Sequence, residues 1–571
     1  MAKIQVTVEA GAFCFKPVAF LGGDLFGAYR AATSGSRFDS KRRAQVTTDK
    51  ATAARVVGSL ATAGFVFTAE SAPAIESARA GIAAIANDVA AADSRAESMD
   101  AALRARGLGL FGYQRDGVRW LSGRSKALLA DDMGLGKTVQ VLAALPADAA
   151  VLVVGPAVAK GVWRKEAAKW RPDFRVSVLS GRSSFRWPAP GEIVVTNYDV
   201  LSDVPGDAPA GVVVVADEAH AVKSYKAKRS KRFGAISKAA QAAGGKVWLL
   251  TATPMLNRPS ELFSVLSSAG LVEEAFGGWK GFCSAFGGYK GSYGMEWSGP
   301  DATVATKLQK VSLRRVKTAV LKDLPAKRHA HVEVESTFSV RDRSALDRIA
   351  EVVGGVENIE NAAKALAAAG ITFEQIAHAR ALLAASKIDA LLSLVEEYEE
   401  ASEPLVVFSA HRAPVDALGT RAGWAVISGD TSPEERSRIE ADFQAGNLRG
   451  VAATIKAGGV AITLTKASNA IFVDQDWTPA LNSQAEDRIY RIGQDRAVLV
   501  TVLVSDHVLD QRVSELLASK SALLAASTDA AAVVDAPSSV PTLGAVVFEA
   551  VEVEAVVDPN APVVLDPVCP F

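Results

Sequence analysis

Cysteine is nearly missing from this sequence: Cys14, Cys283 and Cys569 are the only three among 571 residues. They form no CxxC pair and no Cys/His cluster, which excludes a disulfide framework and a zinc site as organising elements and fits a reducing compartment. Long apolar runs are missing too. None reaches the ~18 residues that a membrane span requires, and the opening MAKIQVTVEAGAFCFK lacks the long uncharged stretch of a signal peptide. Net charge vanishes in the sum, with 63 basic against 63 acidic residues. The sum hides an asymmetry. Ser527 to Phe571 holds seven acidic residues, six prolines and no Lys or Arg, so the rest of the chain carries a net +7. A mildly basic body favours an anionic partner, and the tail has the composition of a disordered segment.

What is present is globular: 49% hydrophobic and 22% charged residues. The length predicts three to four domains at about 150 residues each. Residues 1–75 read as a small α+β unit, opening with the alternating strand KIQVTV. Residues 76–103 are Ala-rich and read as a helical linker. From 104 to 330, and again from 399 to 526, short aliphatic runs alternate with helical patterns. KALLADD, AVLVVGP, EIVVTNY, VVVVADE and VWLLTAT fall in the first half. PLVVFSA, WAVISGD, GVAATIK, NAIFVDQ and LVTVLVS fall in the second. Strands alternating with helices predict an α/β fold with a parallel sheet in each half. Residues 331–398 read as a helical insertion between the halves, and 527–571 as the acidic tail.

ALLADDMGLGKTVQVLAAL sets a Gly-rich loop between an apolar strand and an apolar-periodic helix. It matches GxxxxGK[ST] at Gly136, Lys137 and Thr138, with Asp131 in place of the first glycine. Gly134 and Gly136 let backbone N–H groups close on phosphate oxygens at a helix N-terminus. Lys137 has the reach for the β- and γ-phosphates, and Thr138 for Mg²⁺. Eighty residues on, GVVVVADEAH ends a buried strand with Asp217 and Glu218. Acids at the carboxyl end of a parallel strand face the ligand crevice. Asp217 is the candidate Mg²⁺ ligand and Glu218 the candidate general base for water. In QAEDRIYRIGQDR, Arg488 and Arg491 lie three apart, on one face of a helix if the segment is helical. A solvated salt-bridge face and a pair of arginine fingers both fit that spacing. Finally, KSYKAKRSKR concentrates six basic residues in ten, among them Lys223, Lys226, Lys228 and Arg229. Such a run suits a phosphate backbone, a solvated face being the plainer alternative.

In order, these segments resemble a superfamily 2 ATPase of the Swi/Snf-type DNA translocase group, over about residues 104–525. LFGYQRDGVRWL resembles the adenine-reading glutamine motif, which would put Gln114 on the base. DDMGLGKT resembles the group's DEMGLGKT, in which Asp also stands where other phosphate loops have Gly; Asp131, Asp132, Met133 and Leu135 would line the nucleotide with the glycines. VVGPAVAKGVWRKEAAKW, VVTNYDVL, DEAH and LLTATPMLNRPSELFSVL resemble motifs Ia, Ib, II and III. TIKAGGVAITLTKASNAIFVDQDWTPA resembles motif V, and QAEDRIYRIGQ resembles motif VI. The resemblance implies two tandem RecA-like lobes, ATP and Mg²⁺ as cofactors, Gln484 near the nucleotide, and arginine-finger roles for Arg488 and Arg491. It also implies that Lys160, Trp163, Lys456 and Trp477 border DNA, core packing being the alternative for either aromatic. Tyr490 replaces the usual His of motif VI, and TATP replaces the commoner GTP form of motif III. SLRRVKTAVLKDLPAKRHAHVEV and FCSAFGGYKGSYGMEWSG resemble segments of the annealing-helicase subgroup. SRFDSKRRAQVTTDKATAARVVGSLATAGFVF resembles that subgroup's HARP-type domain, without the usual tryptophan of its second strand; an unrelated basic cap is the alternative.

The implied activity is that of a monomeric, ATP-driven double-stranded-DNA translocase acting on duplex or branched DNA, with no membrane partner. The Ala-rich composition points to a bacterial or phage protein of the cytoplasm. A DEAH-box RNA helicase would show SAT in motif III and QRxGRxGR in motif VI, which this chain lacks. A strand-separating helicase and a non-catalytic DNA-binding scaffold are the other rivals; intact Lys137, Glu218, Arg488 and Arg491 argue against the scaffold.

Overall fold

The computed structural model describes residues 2–529 apart from 10–11, 34–35, 48–52, 54–55, 58, 61–62, 158, 182–184, 204, 256–257, 292–293, 357–358 and 459–461. All but the first three residues of the expected acidic tail lie outside the described residues. At the N-terminus, β1 (Lys3–Glu9) and β2 (Ala12–Pro17) pair antiparallel, with β3 (Arg37–Asp39), β4 (Ala44–Thr47) and β5 (Val66–Phe67) completing a sheet of order β3-β4-β2-β1-β5. The alternation of KIQVTV buries Ile4 and Val6. The helix Gly23–Ala32 lies on this sheet, where the Tyr29 hydroxyl donates to the Phe15 carbonyl at 2.6 Å. β2 was not anticipated. A 34-residue helix, Ala72–Ala105, then leads to the main body.

The first lobe is built on β6 (Lys126–Leu129), β7 (Ala150–Gly155), β8 (Arg175–Val178), β9 (Glu192–Asn197), β10 (Val213–Asp217) and β11 (Lys246–Leu250). A hairpin of β12 (Gly288–Gly291) and β13 (Gly294–Trp297) folds the Gly/aromatic segment, setting Trp297 edge-on to Trp279 at 6.0 Å. The chain then returns as β14 (Ser312–Leu313) beside β6, giving the order β14-β6-β11-β10-β7-β9-β8. Every pairing in this sheet is parallel. Helices cover both faces, so the strands read as unbroken apolar runs. Val213, Val214, Val215 and Ala216 are buried, each valine stabilising the lobe by roughly 1.5–3 kcal/mol.

The second lobe is also all-parallel: β15 (Lys327–Val334), β16 (Leu405–Ser409), β17 (Trp424–Ile427), β18 (Gly450–Thr454), β19 (Asn469–Phe472) and β20 (Val498–Ser505), in the order β15-β20-β19-β16-β18-β17. The expected division at residue 330 is therefore moved. KRHAHVEV pairs along its whole length with β20, so the crossing between lobes precedes Lys327. The helical insertion also does more than link. Helices Val340–Val353 and Phe373–Ser386 share a core with the helix Val508–Asp529, through Leu346, Ile349, Leu383, Leu509 and Leu516. Among the described residues, no helix is long and apolar enough to cross a membrane.

Candidate functional site

The carboxyl ends of β6, β10, β11 and β14 open on one crevice, and loops from four distant sequence regions meet there. From β6 the chain turns through residues 130–136 into the helix Lys137–Ala144. Gly134 and Gly136 both take left-handed φ, +77° and +76°, a conformation that costs glycine nothing. A Cβ on Gly136 would stand 2.5 Å from Gln114 Nε2, and one on Gly134 would stand 3.0 Å from Arg491 Cβ. The loop is thus packed on both sides. Gln114 braces it: its Nε2 donates to the Leu135 carbonyl at 3.2 Å, and its Oε1 accepts from the Phe111 N–H at 3.0 Å. The Lys137 ammonium donates to the carbonyls of Asp131 at 2.7 Å and Asp132 at 3.1 Å. Burial lowers its pKa, against the pull of Glu218, Asp131, Asp132 and Asp217. Thr138 follows, half-buried in the first turn of the helix; Met133 and Leu135 are buried.

Asp131 departs from its expected place on the nucleotide. Its carboxylate is fully buried, held by Arg315 at 3.0 and 2.5 Å and by Gln140 Nε2 at 3.0 Å. Arg315 enters from the end of β14 and also donates to Gln140 Oε1 at 2.7 Å and to the Tyr113 carbonyl. Asp132 stays half-buried at the rim, with Arg314 3.3 Å from its carboxylate and the Lys317 N–H donating to it at 3.0 Å. Sequence reading missed Arg314, Arg315 and Lys317 as parts of this site. The signal was there: three basic side chains in SLRRVK, following a strand that ends beside the phosphate loop.

β10 ends at Asp217, and Glu218 follows directly. Asp217 Oδ2 accepts from Trp163 Nε1 at 2.8 Å, and Oδ1 accepts from the Glu218 N–H at 3.0 Å. Burial, then the neighbouring Glu218 charge, raises the Asp217 pKa to about 6. Burial also works to raise Glu218, but His220, Lys137 and Arg488 outweigh it and hold that carboxylate low. Glu218 occupies a left-handed φ of +49°, and its Oε2 lies 3.2 Å from His220 Nδ1. The same ring nitrogen stands 3.2 Å from Thr251 Oγ1, at the end of β11. The acid pair is thereby connected to TATP.

The second lobe contributes the turn after the helix Pro479–Glu486. Arg488 and Arg491 are not on a helix, because that helix stops at Glu486; they meet on the Ile462 carbonyl instead. Arg488 and Arg491 each reach the Ile462 carbonyl at 3.4 Å, and Arg491 reaches Thr463 Oγ1 at 3.1 Å. Arg488 comes within 4.0 Å of Met133 Sδ across the crevice. Burial, then the adjacent Arg491 charge, lowers the Arg488 pKa to about 10. Gln484 is buried on the preceding helix, its carbonyl accepting from Arg488 Nε at 3.2 Å.

The expected DNA-facing residues divide. Trp163 is corrected: at 1% exposure it lies in the core and orients Asp217. Lys160 donates to the Leu179 carbonyl at 2.6 Å, and Trp477 is half-buried with Arg380 4.6 Å above its ring. Lys456 is exposed, its ammonium 3.8 Å from Asp476. In the basic run, Lys223 pairs with Glu261 at 3.2 Å and Arg232 with Asp203 at 2.8 Å, while Lys226, Lys228, Arg229 and Lys231 are exposed.

Two parallel-sheet lobes, with a phosphate-type loop and acid pair on one and an arginine turn on the other, define a RecA-like protein of the helicase type. Residues 113–342 match the SNF2-related domain and residues 386–493 the helicase conserved C-terminal domain. The chain therefore carries an SNF2-related domain followed by a helicase C-terminal domain. A SWI/SNF-related matrix-associated actin-dependent regulator of chromatin subfamily A-like protein 1 from Xenopus tropicalis is 29% identical over 436 residues, 72% of this chain and 44% of that protein. A homolog of that protein in Caenorhabditis elegans is 30% identical over 425 residues, 70% of this chain and 59% of that one. The human DNA annealing helicase and endonuclease ZRANB3 is 27% identical over 438 residues, 70% of this chain and 39% of that protein. The matched stretch thus spans about 40–60% of the length of these relatives. Among solved structures, the Sulfolobus solfataricus SWI2/SNF2 ATPase core in complex with dsDNA aligns over 73% of this chain and 92% of its own, at 23% identity and a TM-score of 0.34.

Proposed function

We propose that this chain is an ATP-driven double-stranded-DNA translocase that remodels duplex or branched DNA, by annealing, fork remodelling or protein displacement. The observation that carries this reading is the convergence of Lys137, Asp217 and Glu218 of one lobe with Arg488 and Arg491 of the other on one crevice. ATP would lie on the loop 131–138, with Gln114 and Gln484 flanking it. Lys137 would leave the loop carbonyls for the β- and γ-phosphates. Asp217 and Thr138 offer the hard oxygen donors that Mg²⁺ takes beside substrate phosphates, and Asp217 is already held in one orientation by Trp163. When bound, the cation neutralises phosphate charge. Glu218, kept ionised by His220, takes the proton of the attacking water. Arg488 and Arg491 stabilise charge on the transferred phosphoryl group. Release of the products would let the lobes part, and repeated closure would advance the motor. We place it in the cytoplasm as a monomer.

The deciding experiment is ATPase activity measured in parallel with no nucleic acid, single strands, duplex, forks and RNA. Stimulation by duplex or forked DNA is expected; stimulation by RNA alone would replace this reading with an RNA helicase. Glu218→Gln is expected to bind ATP and lose about 10²–10⁴ in kcat, because an amide accepts no proton. Lys137→Ala is expected to lose hydrolysis and stay folded. Failure of the glutamine variant to bind nucleotide would give Glu218 a different role.

A second expected result concerns the exposed basic face. Each phosphate neutralised on B-DNA contributes about −0.9 to the slope of log K against log salt. Replacing Lys226, Lys228 and Arg229 with alanine should therefore flatten the slope by up to about 2.7. Binding should weaken alike across sequences, since backbone contacts carry no base information. An unchanged slope in a salt titration would remove this face from the DNA path.

A further inference from the structure

One lysine touches both halves of the candidate site. Lys317 follows β14, and its backbone N–H donates to Asp132 Oδ2 of the phosphate loop at 3.0 Å. Its ammonium crosses to the other lobe, where it donates to the Asp487 carboxylate and, at 2.7 Å, to the Tyr490 carbonyl. Asp487 and Tyr490 immediately precede Arg488 and Arg491. The Tyr490 ring lies 5.1 Å from Lys317 Nζ and 5.3 Å from Lys327 Nζ, so the turn is gripped from two sides. Lys327 belongs to the second lobe itself, in β15, and pairs there with Glu486 at 2.6 Å. Lys317 alone of the two comes from the first lobe. A Cβ on Gly134 would sit 3.7 Å from Lys317 Cε and 3.0 Å from Arg491 Cβ, so loop, lysine and turn are in direct contact.

The energetics make this contact dependent on closure. The Lys317 side chain is 6% exposed and that of Asp487 11%. Burial lowers the Lys317 pKa and raises that of Asp487; their mutual attraction opposes both shifts. Between closed lobes, in low dielectric, loss of either partner strands a charge. Between parted lobes both groups would be hydrated, and a hydrated pair contributes little. The pair therefore favours one state of the crevice over the other.

We propose that Lys317 is a positioning residue: an interlobe latch that transmits the setting of the phosphate loop, through Asp132, to the turn carrying Arg488 and Arg491. Its effect on hydrolysis rests on the ATPase reading above; its effect on lobe closure does not. The geometric consequence is specific. Without the ammonium, Asp487 and Tyr490 lose their anchor on the first lobe, and the two guanidinium groups lose their register over the loop.

The test uses the full chain with its native cysteines replaced and dye-labelled cysteines at exposed Lys238 and Glu434, one in each lobe. Energy transfer is read without nucleotide and with a non-hydrolysable ATP analogue, beside steady-state ATPase rates. Lys317→Gln and Asp487→Asn are expected to lower transfer without nucleotide, and Lys317→Arg to restore it. In the two neutral variants kcat should fall by about 10²-fold, the scale of a 1 Å misplacement, with KM for ATP little changed. The double variant should be no worse than either single one, because both remove the same contact. Lys327→Ala, acting inside one lobe, should leave transfer unchanged. The proposal is overturned by unchanged transfer in both neutral variants, by additive losses in the double variant, or by equal opening in Lys327→Ala. A wild-type chain without ATPase activity would sink the ATPase reading, while the transfer measurement would still decide the latch.

Discussion

Arg491→Ala is expected to lower kcat by about 10³–10⁵ while leaving ATP affinity nearly intact. The structural argument is electrostatic. The Arg491 guanidinium donates to the Thr463 hydroxyl and the Ile462 carbonyl, both neutral acceptors. Burial lowers its pKa, with Glu440 and Asp487 acting against that shift from a distance. A second guanidinium, Arg488, is kept beside it, and each disfavours the charge of the other. Two guanidinium groups held side by side in a buried crevice are placed to receive an anion. Charge developing on a phosphoryl group supplies that anion, and a preorganised site stabilises it most at the transition state. Losing 10³ in rate corresponds to about 4 kcal/mol of transition-state stabilisation. Arg491→Lys keeps the charge and loses the planar fork, so its rate should fall between those of wild type and alanine. Arg488→Ala should behave like Arg491→Ala, and the pair of changes should be less than additive, since both act on one group. Steady-state kinetics with a parallel nucleotide-binding measurement check this. A change confined to KM would make both residues ground-state binders.

How much of this was legible beforehand depended on sequence distance. The Gly-rich loop and the Asp217/Glu218 pair were legible because each follows directly on a buried strand, within a few residues of its end. Both parallel sheets were legible for the same reason: a strand buried on both faces is an unbroken apolar run. The misreadings came from long-range contacts. KRHAHVEV mixes charged and apolar residues, and only its partner β20, far along the chain, shows that it belongs to the second lobe. Trp163 was placed on DNA by its motif. Yet Trp163, Ala167 and Trp170 recur at i, i+4 and i+7, one apolar face of a helix, and all three are buried. That spacing would have placed the indole in the core, though not its hydrogen bond to Asp217. For Arg488 and Arg491 the spacing of three suggested a helix; they converge through a turn because the Ile462 carbonyl accepts from both. The partner of Asp131 lies 184 residues away, so the basic cluster SLRRVK could be noticed in the sequence but not paired with that aspartate.

That partner leads to the largest expected loss of stability. Asp131→Gly would turn the loop into a full GxxxxGK[ST] match, so motif reasoning alone predicts a neutral or improved phosphate site. The structure predicts the opposite. The Asp131 carboxylate is fully buried against an Arg315 that is itself 0% exposed. Arg315 Nε and N–H donate to Oδ1 at 3.0 and 3.1 Å, a second guanidinium nitrogen lies 2.5 Å from Oδ2, and Gln140 also donates to Oδ2 at 3.0 Å. This pair ties the exit of β6 to the exit of β14 and to the helices on either side of the loop. Removing the carboxylate leaves a guanidinium buried without its counter-charge, a loss of about 3–5 kcal/mol. For a lobe of roughly 200 residues, each kcal/mol lowers Tm by about 2–4 °C, so the expected fall is roughly 6–20 °C. Asp131→Asn should lose nearly as much, because an amide cannot balance the charge. The compensating double variant Asp131→Leu/Arg315→Met should recover most of the stability, since an apolar pair of similar volume often replaces a buried ion pair at little cost. Calorimetric melting of the four proteins decides the matter. If Asp131→Gly melts with wild type, Arg315 is not held by this carboxylate and the aspartate belongs to the nucleotide after all. If the glycine variant melts early and the double variant does not, the Asp in DDMGLGKT is there for the fold, and the phosphate chemistry rests on the residues that follow it.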